Sequence, residues 1–268
     1  MAAWATEITA DGSPTLRRTG DGLRMHSAGG AWTQACLRYA AGVLIPQATR
    51  RARTFRLLDV GTGSGLNLAA AMAWAAGQGL ELEATCLELD PSGLASTSEW
   101  ARLGRVPPAH GPQLPDWASW HGQALAALGG QSVAFSGPGA CRAKLYWGDA
   151  RDILPQVEAA FLFDGVFLDP FAPSQAPALW EPEFIRVVAS LMAPGARLAT
   201  YSSSLAVRCS LRAAGLEVGR GPRVGGKSDG TLACQGPPVP PWEVLPSRVR
   251  AKLDRRLARK FEGRYRAP

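Results

Sequence analysis

The chain has 268 residues, and its content of 46% hydrophobic and 19% charged residues is typical of a globular protein, which excludes an intrinsically disordered chain. Lysine and arginine outnumber aspartate and glutamate by 29 to 22, and the formal net charge of +7 favours a polyanionic partner, nucleic acid before an anionic membrane surface. The five cysteines show no C-x-x-C spacing, and no apolar run reaches the roughly 18 residues of a membrane span, so we expect a cytoplasmic protein with reduced thiols, no metal and no membrane partner.

Turn signals and apolar periodicity divide the chain into three parts. We predict an N-terminal hairpin and helix extension over 1–50, because the turn-rich start suits a hairpin or an extended arm and apolar residues recur at helical spacing over 31–44. Residues 51–235 are predicted to form the central domain. Residues 236–268 begin as a proline-rich linker and continue as a basic segment, either a solvated tail or a helix that contacts nucleic acid.

Strand and helix patterns alternate through the central domain. Strands are predicted over 56–60, 82–89, 143–147, 163–168, 196–202, 217–220 and 231–234. Helices are predicted over 66–76, 92–103, 182–191 and 206–214. Residues 104–141, rich in proline, glycine and tryptophan, are predicted to be an irregular or partly helical insertion. The alternation predicts an α/β fold with a doubly wound, Rossmann-like sheet of seven strands.

A glycine-rich loop follows the first of these strands and opens the next helix. Gly61, Gly63 and Gly65 come directly after the strand that contains Asp59, so bare backbone and helix N–H groups face a ligand there. Leu66 stands where a dinucleotide-binding fingerprint has its third glycine. The loop therefore favours S-adenosylmethionine over NAD.

Acidic residues end the following strands of the predicted sheet. Glu88 lies at the end of the second strand, where a carboxylate can accept both ribose hydroxyls of such a ligand. Asp149 follows the strand over 143–147 and is predicted to hold the adenine amino group. The alternative for Asp149 is the N-cap of the helix that follows it.

The loop over 169–173 ends another buried strand, so its carboxylate and its aromatic ring are predicted to project over the methyl donor. It resembles the acid-or-amide, proline, aromatic loop of amine-methylating enzymes. Asp169 can orient the N–H of an amine and stabilise the cationic product, and Phe171 can stack on a base. The alternative is a rigid proline turn with Phe171 in the core. His26 is a candidate for the substrate pocket, although a lone histidine is more often structural.

Segments 59–67, 148–151, 168–173 and 200–204 together resemble one family, the methyltransferase part of the bifunctional enzyme MnmC and its stand-alone relatives. That family makes 5-methylaminomethyl-2-thiouridine in tRNA. The resemblance implies S-adenosylmethionine as cofactor, tRNA as partner, and N-methylation of the aminomethyl group on the wobble uridine. It also implies the stand-alone type without the FAD-dependent oxidoreductase domain, so we expect separate enzymes to supply the aminomethyl-uridine substrate.

The residue patterns and the resemblance together assign candidate residues to three roles. Asp169 and Phe171 are predicted to be catalytic. The predicted cofactor-binding residues are Asp59, Gly61, Gly63, Gly65, Asn67, Glu88, Asp149 and Ala150. The predicted substrate-binding residues are His26, Ser27, Pro170 and Lys227.

Other functions fit the same fold, because fold alone does not fix function. One is a methyltransferase that acts on another amine, in a small molecule or a protein. A second is an aminopropyltransferase that uses decarboxylated S-adenosylmethionine, against which the apolar loop after Asp169 argues. A third is a non-catalytic RNA-binding module, against which the three carboxylates at Glu88, Asp149 and Asp169 argue.

Overall fold

Strands and helices alternate along the computed structural model, which describes residues 3–44, 53–103, 114–157, 162–224 and 229–262. The strands are β1 Trp4–Ile8, β2 Pro14–Arg18, β3 Thr54–Val60, β4 Glu81–Glu88, β5 Val133–Ala134, β6 Ala140–Trp147, β7 Phe163–Leu168, β8 Met192–Thr200, β9 Glu217–Arg220, β10 Thr231–Cys234 and β11 Glu243–Val244. The α-helices are α1 Ala31–Thr33, α2 Ala41–Val43, α3 Leu66–Gly77, α4 Pro91–Ala95, α5 Trp117–Leu128, α6 Ala150–Ile153, α7 Pro182–Ser190, α8 Leu205–Ala213 and α9 Ser247–Glu262. A π-helical turn, Gln34–Ala40, joins α1 to α2, and 3-10 turns cover Trp100–Arg102, Leu154–Gln156 and Pro177–Trp180.

The main sheet has the strand order β11-β9-β10-β8-β7-β3-β4-β6-β5. Strands β6, β4, β3, β7 and β8 run parallel, and β10 is antiparallel to both of its neighbours. The α/β fold with a doubly wound sheet is confirmed. Seven of the nine strands are those that the sequence predicts, and the other two, β5 and β11, are two-residue strands at the edges.

The core lies on both faces of this sheet. Phe167 of β7 packs into an apolar cluster with α3, α5 and the helical residues 31–44. Its neighbours Val166 and Leu168 pack into a second cluster with α7 and α8. Strands covered on both sides read as continuous apolar runs rather than as alternating patterns. That property made the central strands recognisable in the sequence.

The N-terminal residues form a hairpin of β1 and β2, which pair antiparallel. In its turn, the Asp11 carboxylate accepts hydrogen bonds from the backbone N–H of Ser13 at 3.1 Å and of Thr33 at 2.8 Å. The indole N–H of Trp32 donates to the carbonyl oxygen of Pro115 at 2.8 Å. These bonds fix the hairpin and the first helix against the central domain.

One segment differs from the sequence-based expectation, and a second is partly helical as expected. The continuous helix expected over 92–103 is wrong, because α4 ends at Ala95 and only a 3-10 turn follows. There the hydroxyls of Ser96 and Thr97 donate to the carbonyl oxygens of the preceding turn, at 2.7 Å each, and such side-chain bonds compete with helix continuation. Within the stretch 104–141, α5 is a regular helix with a fully buried face against α3, so this part belongs to the core.

The C-terminal segment is attached to the sheet edge through β11, which pairs with β9. Helix α9 follows and buries Leu253 against Leu245 and Cys209 of α8. The boundary between the central domain and this segment at 235 remains a prediction. Among the described residues, no helix combines the length and apolar character needed to cross a lipid bilayer.

Candidate active site

The carboxyl ends of β3, β4, β6 and β7 open onto a cavity of about 830 Å³. Backbone hydrogen bonds join the loops that leave these strands: the N–H of Gly148 donates to the carbonyl oxygen of Glu88, and that of Asp169 to the carbonyl oxygen of Val60, both at 2.9 Å. The loops therefore form a continuous floor. Its position at the carboxyl edge of a parallel sheet is where α/β proteins bind ligands.

The glycine loop has a backbone that other residues rarely adopt. Gly61, Gly63 and Gly65 have φ angles of 86°, 55° and 82°, in the left-handed region. A Cβ at Gly61 would lie 2.7 Å from the carbonyl oxygen of Asp169. The glycine turn after β3 and the loop over 169–173 after β7 are thus in direct contact across neighbouring strands.

Glu88 lines the cavity and is held by the backbone on both sides. One carboxylate oxygen accepts the N–H of Gly63 at 2.7 Å, and the other accepts the N–H of Asp90 at 2.9 Å. Burial raises the pKa of Glu88, and the backbone N–H bonds oppose that rise. A carboxylate oxygen can accept more than one hydrogen bond, so the predicted contact with ribose hydroxyls is compatible with these bonds.

Asp149 occupies the cavity wall and also the N-cap of α6. Its carboxylate accepts the backbone N–H of Arg151 at 2.9 Å and forms an ion pair with the guanidinium of the same residue at 2.7 Å. The hydrogen bond from Arg151 lowers the pKa of Asp149. Asp149 is therefore the N-cap of α6, as the alternative predicted, and it also lines the cavity. Ala150 lines the cavity as well. The adenine contact remains a prediction.

Three of the predicted cofactor residues, Asp59, Gly65 and Asn67, lie behind the cavity wall rather than on it. Asp59 is fully buried, and burial, reinforced by the negative charge of Asp169, raises its pKa to about 8. The side-chain N–H of Asn67 donates to Asp169 at 2.7 Å. Their positions suit support of the loops that line the cavity.

Asp169 faces the cavity between two hydrogen-bond donors. The hydroxyl of Tyr39 donates to one carboxylate oxygen at 2.5 Å, and Asn67 donates to the other. Burial raises the pKa of Asp169 to about 7, while these two bonds and the charge of Arg38 act in the opposite direction. The carboxyl is therefore fixed in orientation and titrates near neutral pH.

Tyr39, Arg38 and Gln34 are site residues that the sequence did not reveal. All three belong to the π-helical turn, and Arg38 and Gln34 line the cavity. The side-chain oxygen of Gln34 accepts the backbone N–H of Ser27 at 3.0 Å. π-helical turns are frequent at functional sites, but an aromatic and apolar run at near-helical spacing gives no signal that distinguishes them from an α-helix.

Phe171 lies at the cavity wall, not in the core. Its ring stacks on the indole of Trp4, with 6.2 Å between ring centroids and 13° between ring planes. The guanidinium of Arg18 lies 5.7 Å from the Phe171 centroid. Pro170 also lines the cavity, and its carbonyl oxygen accepts the hydroxyl of Tyr201 at 3.1 Å. The N-terminal hairpin therefore supplies part of the wall, which the sequence did not indicate.

His26 and Ser27, the candidate substrate-binding residues, both line the cavity, and their role in substrate binding remains a prediction. A ring nitrogen of His26 lies 3.2 Å from the hydroxyl of Thr15, and burial lowers the pKa of His26 to about 4. His26 is therefore neutral at pH 7. The candidate Lys227 lies outside the described residues.

The lining fits a nucleoside-like ligand. The cavity volume lies in the range typical of small-molecule sites, and the glycine loop brings bare backbone to its floor where a Cβ would collide with Asp169. Glu88 and Asp149 provide carboxylate acceptors on the same floor. S-adenosylmethionine carries the hydroxyl and amino donors that these acceptors require.

Comparisons with known proteins agree with this geometry. Residues 117–236 match the family described as S-adenosyl-L-methionine-dependent methyltransferase. The chain is 34% identical, over 86% of its length, to the tRNA 5-methylaminomethyl-2-thiouridine biosynthesis bifunctional protein MnmC of Cupriavidus necator, of which it covers 34%. It is 36% identical, over 70% of its length, to the protein of that name from Pseudomonas aeruginosa strain PAO1, of which it covers 29%. The chain thus spans about a third of the length of these curated relatives.

A solved structure is similar over nearly the whole chain. It is the crystal structure of MNMC2 from Aquifex aeolicus, with 28% sequence identity and a TM-score of 0.72. The match covers 95% of this chain and 76% of that chain.

Proposed function

Because the chain belongs to the S-adenosyl-L-methionine-dependent methyltransferase family, we propose that it methylates the primary amine of an aminomethyl group on the wobble uridine of tRNA. The observation that carries this proposal is the contact between the glycine turn at Gly61 and the backbone of Asp169. It brings the acceptor carboxylate beside the loop that would hold the donor. The names of the relatives support the choice of tRNA and of its 5-methylaminomethyl-2-thiouridine as the product.

Bound S-adenosylmethionine supplies a methyl group on a positively charged sulfur. Within this chain, the glycine loop and Glu88 are proposed to hold the donor through backbone N–H groups and a carboxylate. Asp169 is proposed to accept an N–H of the substrate amine, which points the nitrogen lone pair at the methyl group. Its pKa of about 7 also suits a group that takes up a proton from the amine near neutral pH.

The rigidity of Asp169 is part of the proposed mechanism. Tyr39 and Asn67 each fix one of its carboxylate oxygens, so little reorganisation is needed when the amine gains positive charge. Phe171 and Trp4 place two nearly parallel aromatic rings at the same wall, which suits stacking with a planar base more than contact with a flexible polyamine.

Methyl transfer of this kind needs an amine that already exists. None of the roles assigned to Glu88, Asp149 or Asp169 attaches an aminomethyl group to the uridine base. We therefore propose that a different catalytic centre supplies the aminomethyl group. Action on tRNA would place the protein in the cytoplasm.

The direct test is to incubate the protein with labelled S-adenosylmethionine and undermodified tRNA, digest the tRNA, and identify the labelled nucleoside. We expect label in a 5-methylaminomethyl uridine derivative. Label in a different nucleoside, or transfer only to a small amine or a protein, would assign the activity to another acceptor. Absence of donor uptake in calorimetry would contradict the enzymatic role itself.

Replacing Asp169 tests the acceptor side separately. We expect Asp169→Ala to lower the rate of methyl transfer by at least about 100-fold, because it removes the charge that stabilises the developing cation. The dissociation constant of S-adenosylmethionine should stay within about threefold of that of the wild type. The matched control is Asp152→Ala, an exposed acid on α6 that does not line the cavity. Equal turnover of Asp169→Ala and wild type would refute the assignment.

A further inference from the structure

Helix α9 is amphipathic, and its apolar side is occupied. Val249, Leu253 and Leu257 recur at four-residue spacing and pack in a cluster with Leu245 and Cys209. Leu253 is only 3% exposed. The helix is therefore anchored on α8 and is not a loose tail.

The remaining surface of α9 is densely basic. Its exposed basic residues are Arg248, Arg250, Lys252, Arg255, Arg256 and Arg259. Over 247–259 the single acid is Asp254, so these residues leave a net charge of 6 − 1 = +5, against +7 for the whole chain. In the described part of the chain, none of the six forms an ion pair.

Four of these residues form one stripe along the helix. Arg248, Lys252, Arg255 and Arg259 stand at positions i, i+4, i+7 and i+11, which lie on one face of an α-helix. At 1.5 Å per residue the stripe is about 16 Å long, enough to follow several consecutive phosphates. We call this set the basic stripe.

The helix that anchors α9 begins at the edge of the sheet that carries the cavity. Tyr201 of the cavity wall follows β8, and α8 starts shortly afterwards at Leu205. Leu205 packs in the same apolar cluster as Leu253 of α9. The basic stripe is thus fixed to α8, the helix that follows β8 at the edge of the sheet where the cavity opens.

We propose that the basic stripe of α9 binds the phosphate backbone of the RNA whose target nucleotide enters the cavity. The inference rests on the proposed function for the choice of RNA. Phosphate contacts from lysine and arginine supply most of the affinity of such complexes. A membrane surface is disfavoured, because an interfacial helix inserts its apolar face into the lipid, and in α9 that face packs against α8.

The test compares two variants with the same change in charge. In the first, the four residues of the basic stripe are replaced by glutamine, which keeps helix propensity. In the second, four exposed basic residues elsewhere are replaced by glutamine: Arg102, Arg142, Lys144 and Arg186. Binding of undermodified tRNA to the full chain is measured between about 50 and 200 mM salt.

We expect the stripe variant to bind tRNA at least tenfold more weakly at low salt, and its slope of log affinity against log salt to fall by roughly 3. The control variant should change the slope by much less. S-adenosylmethionine affinity and the circular dichroism spectrum should match those of the wild type in both variants. An unchanged slope in the stripe variant, or an equal loss in both, would overturn the proposal.

Two further measurements separate this proposal from the others. Vesicles containing anionic phospholipid serve as a competing probe, and stripe-dependent binding to vesicles without stripe-dependent binding to tRNA would overturn the choice of RNA. A second outcome separates the docking surface from the proposed substrate. If the wild-type protein methylates no tRNA nucleoside but the stripe variant still loses affinity for tRNA, the docking surface is supported and the proposed substrate is contradicted.

Discussion

The two sides of the cavity are assembled in different ways. On the donor side, the glycine loop and Glu88 come from consecutive strands, and the hydrogen bond between Gly63 and Glu88 joins residues 25 positions apart. On the acceptor side, the hydrogen bond from Tyr39 to Asp169 joins residues 130 positions apart. Trp4 and Phe171 are farther apart still.

This difference separates what local sequence encodes from what the tertiary fold assembles. Each donor-side residue ends a strand or begins a helix, so its own neighbours in the sequence place it at the carboxyl edge of the sheet. The acceptor side depends on the N-terminal hairpin and on the π-helical turn lying over the sheet. Perturbing one side at a time should therefore change donor binding and acceptor chemistry separately, except where the two sides touch.

The largest effect is expected at Gly61, where the two sides touch. An alanine there would hold a left-handed φ of 86°, and its Cβ would lie 2.7 Å from the carbonyl oxygen of Asp169. We expect Gly61→Ala to lose about 2 kcal/mol or more of unfolding free energy, and to lose both donor binding and methyl transfer. Thermal unfolding and calorimetry of S-adenosylmethionine binding measure the two effects.

The matched control is Gly77→Ala at the end of α3. Nothing lies within 4 Å of a Cβ at that position, and its φ is not in the left-handed region. We expect stability there to be unchanged or slightly higher. If Gly61→Ala binds the donor as well as Gly77→Ala does, the close contact between Gly61 and Asp169 is not required for donor binding.

Much of the fold could be predicted from the sequence, because central parallel strands are covered on both faces and appear in the sequence as short apolar runs. The strand Phe163–Leu168 has the predicted bounds. The two-residue strands β5 and β11 are too short to leave a periodic signal. The helix expected over 92–103 failed because serine and threonine side chains bond to the backbone there, which apolar periodicity does not report.

Only part of the candidate site could be predicted in the same way. Glu88, Asp149 and Asp169 were identifiable because each follows a strand, and all three line the cavity. Tyr39 was not, because a tyrosine in an apolar helical pattern has the signature of a core residue, and only the packing of the π-helical turn brings its hydroxyl to Asp169. The aromatic contact of Trp4 likewise arises from the placement of the hairpin, which no local motif encodes.

The next effect concerns the acceptor side alone. The Tyr39 hydrogen bond lowers the pKa of Asp169 against the effect of burial, so Tyr39→Phe should raise that pKa above its value of about 7. The ionised carboxylate is the form that accepts an N–H, so we expect methyl transfer at pH 7 to fall about threefold to tenfold, as for one lost hydrogen bond. The rising limb of the pH–rate profile should move to higher pH, and the rate should recover in alkaline buffer.

Two comparisons make the Tyr39 result decisive. Donor affinity should be unchanged in Tyr39→Phe, since Tyr39 does not line the cavity. Tyr146→Phe on β6, a tyrosine away from Asp169, should leave the pH–rate profile as in the wild type. A rate reduced equally at every pH would indicate a role for Tyr39 in packing rather than in the ionisation of Asp169.

The smallest effect is expected at Trp4, and it tests whether the hairpin acts on the acceptor side alone. Its indole stacks on Phe171 and donates to the hydroxyl of Ser92 at 3.1 Å. If the aromatic surface positions the base, Trp4→Ala should raise the KM for tRNA several-fold while kcat and donor affinity stay near those of the wild type. Trp4→Phe keeps an aromatic ring but loses the indole N–H, so recovery of KM in this variant would assign the effect to stacking. A KM that stays raised in Trp4→Phe would instead assign it to the hydrogen bond that holds β1 against α4.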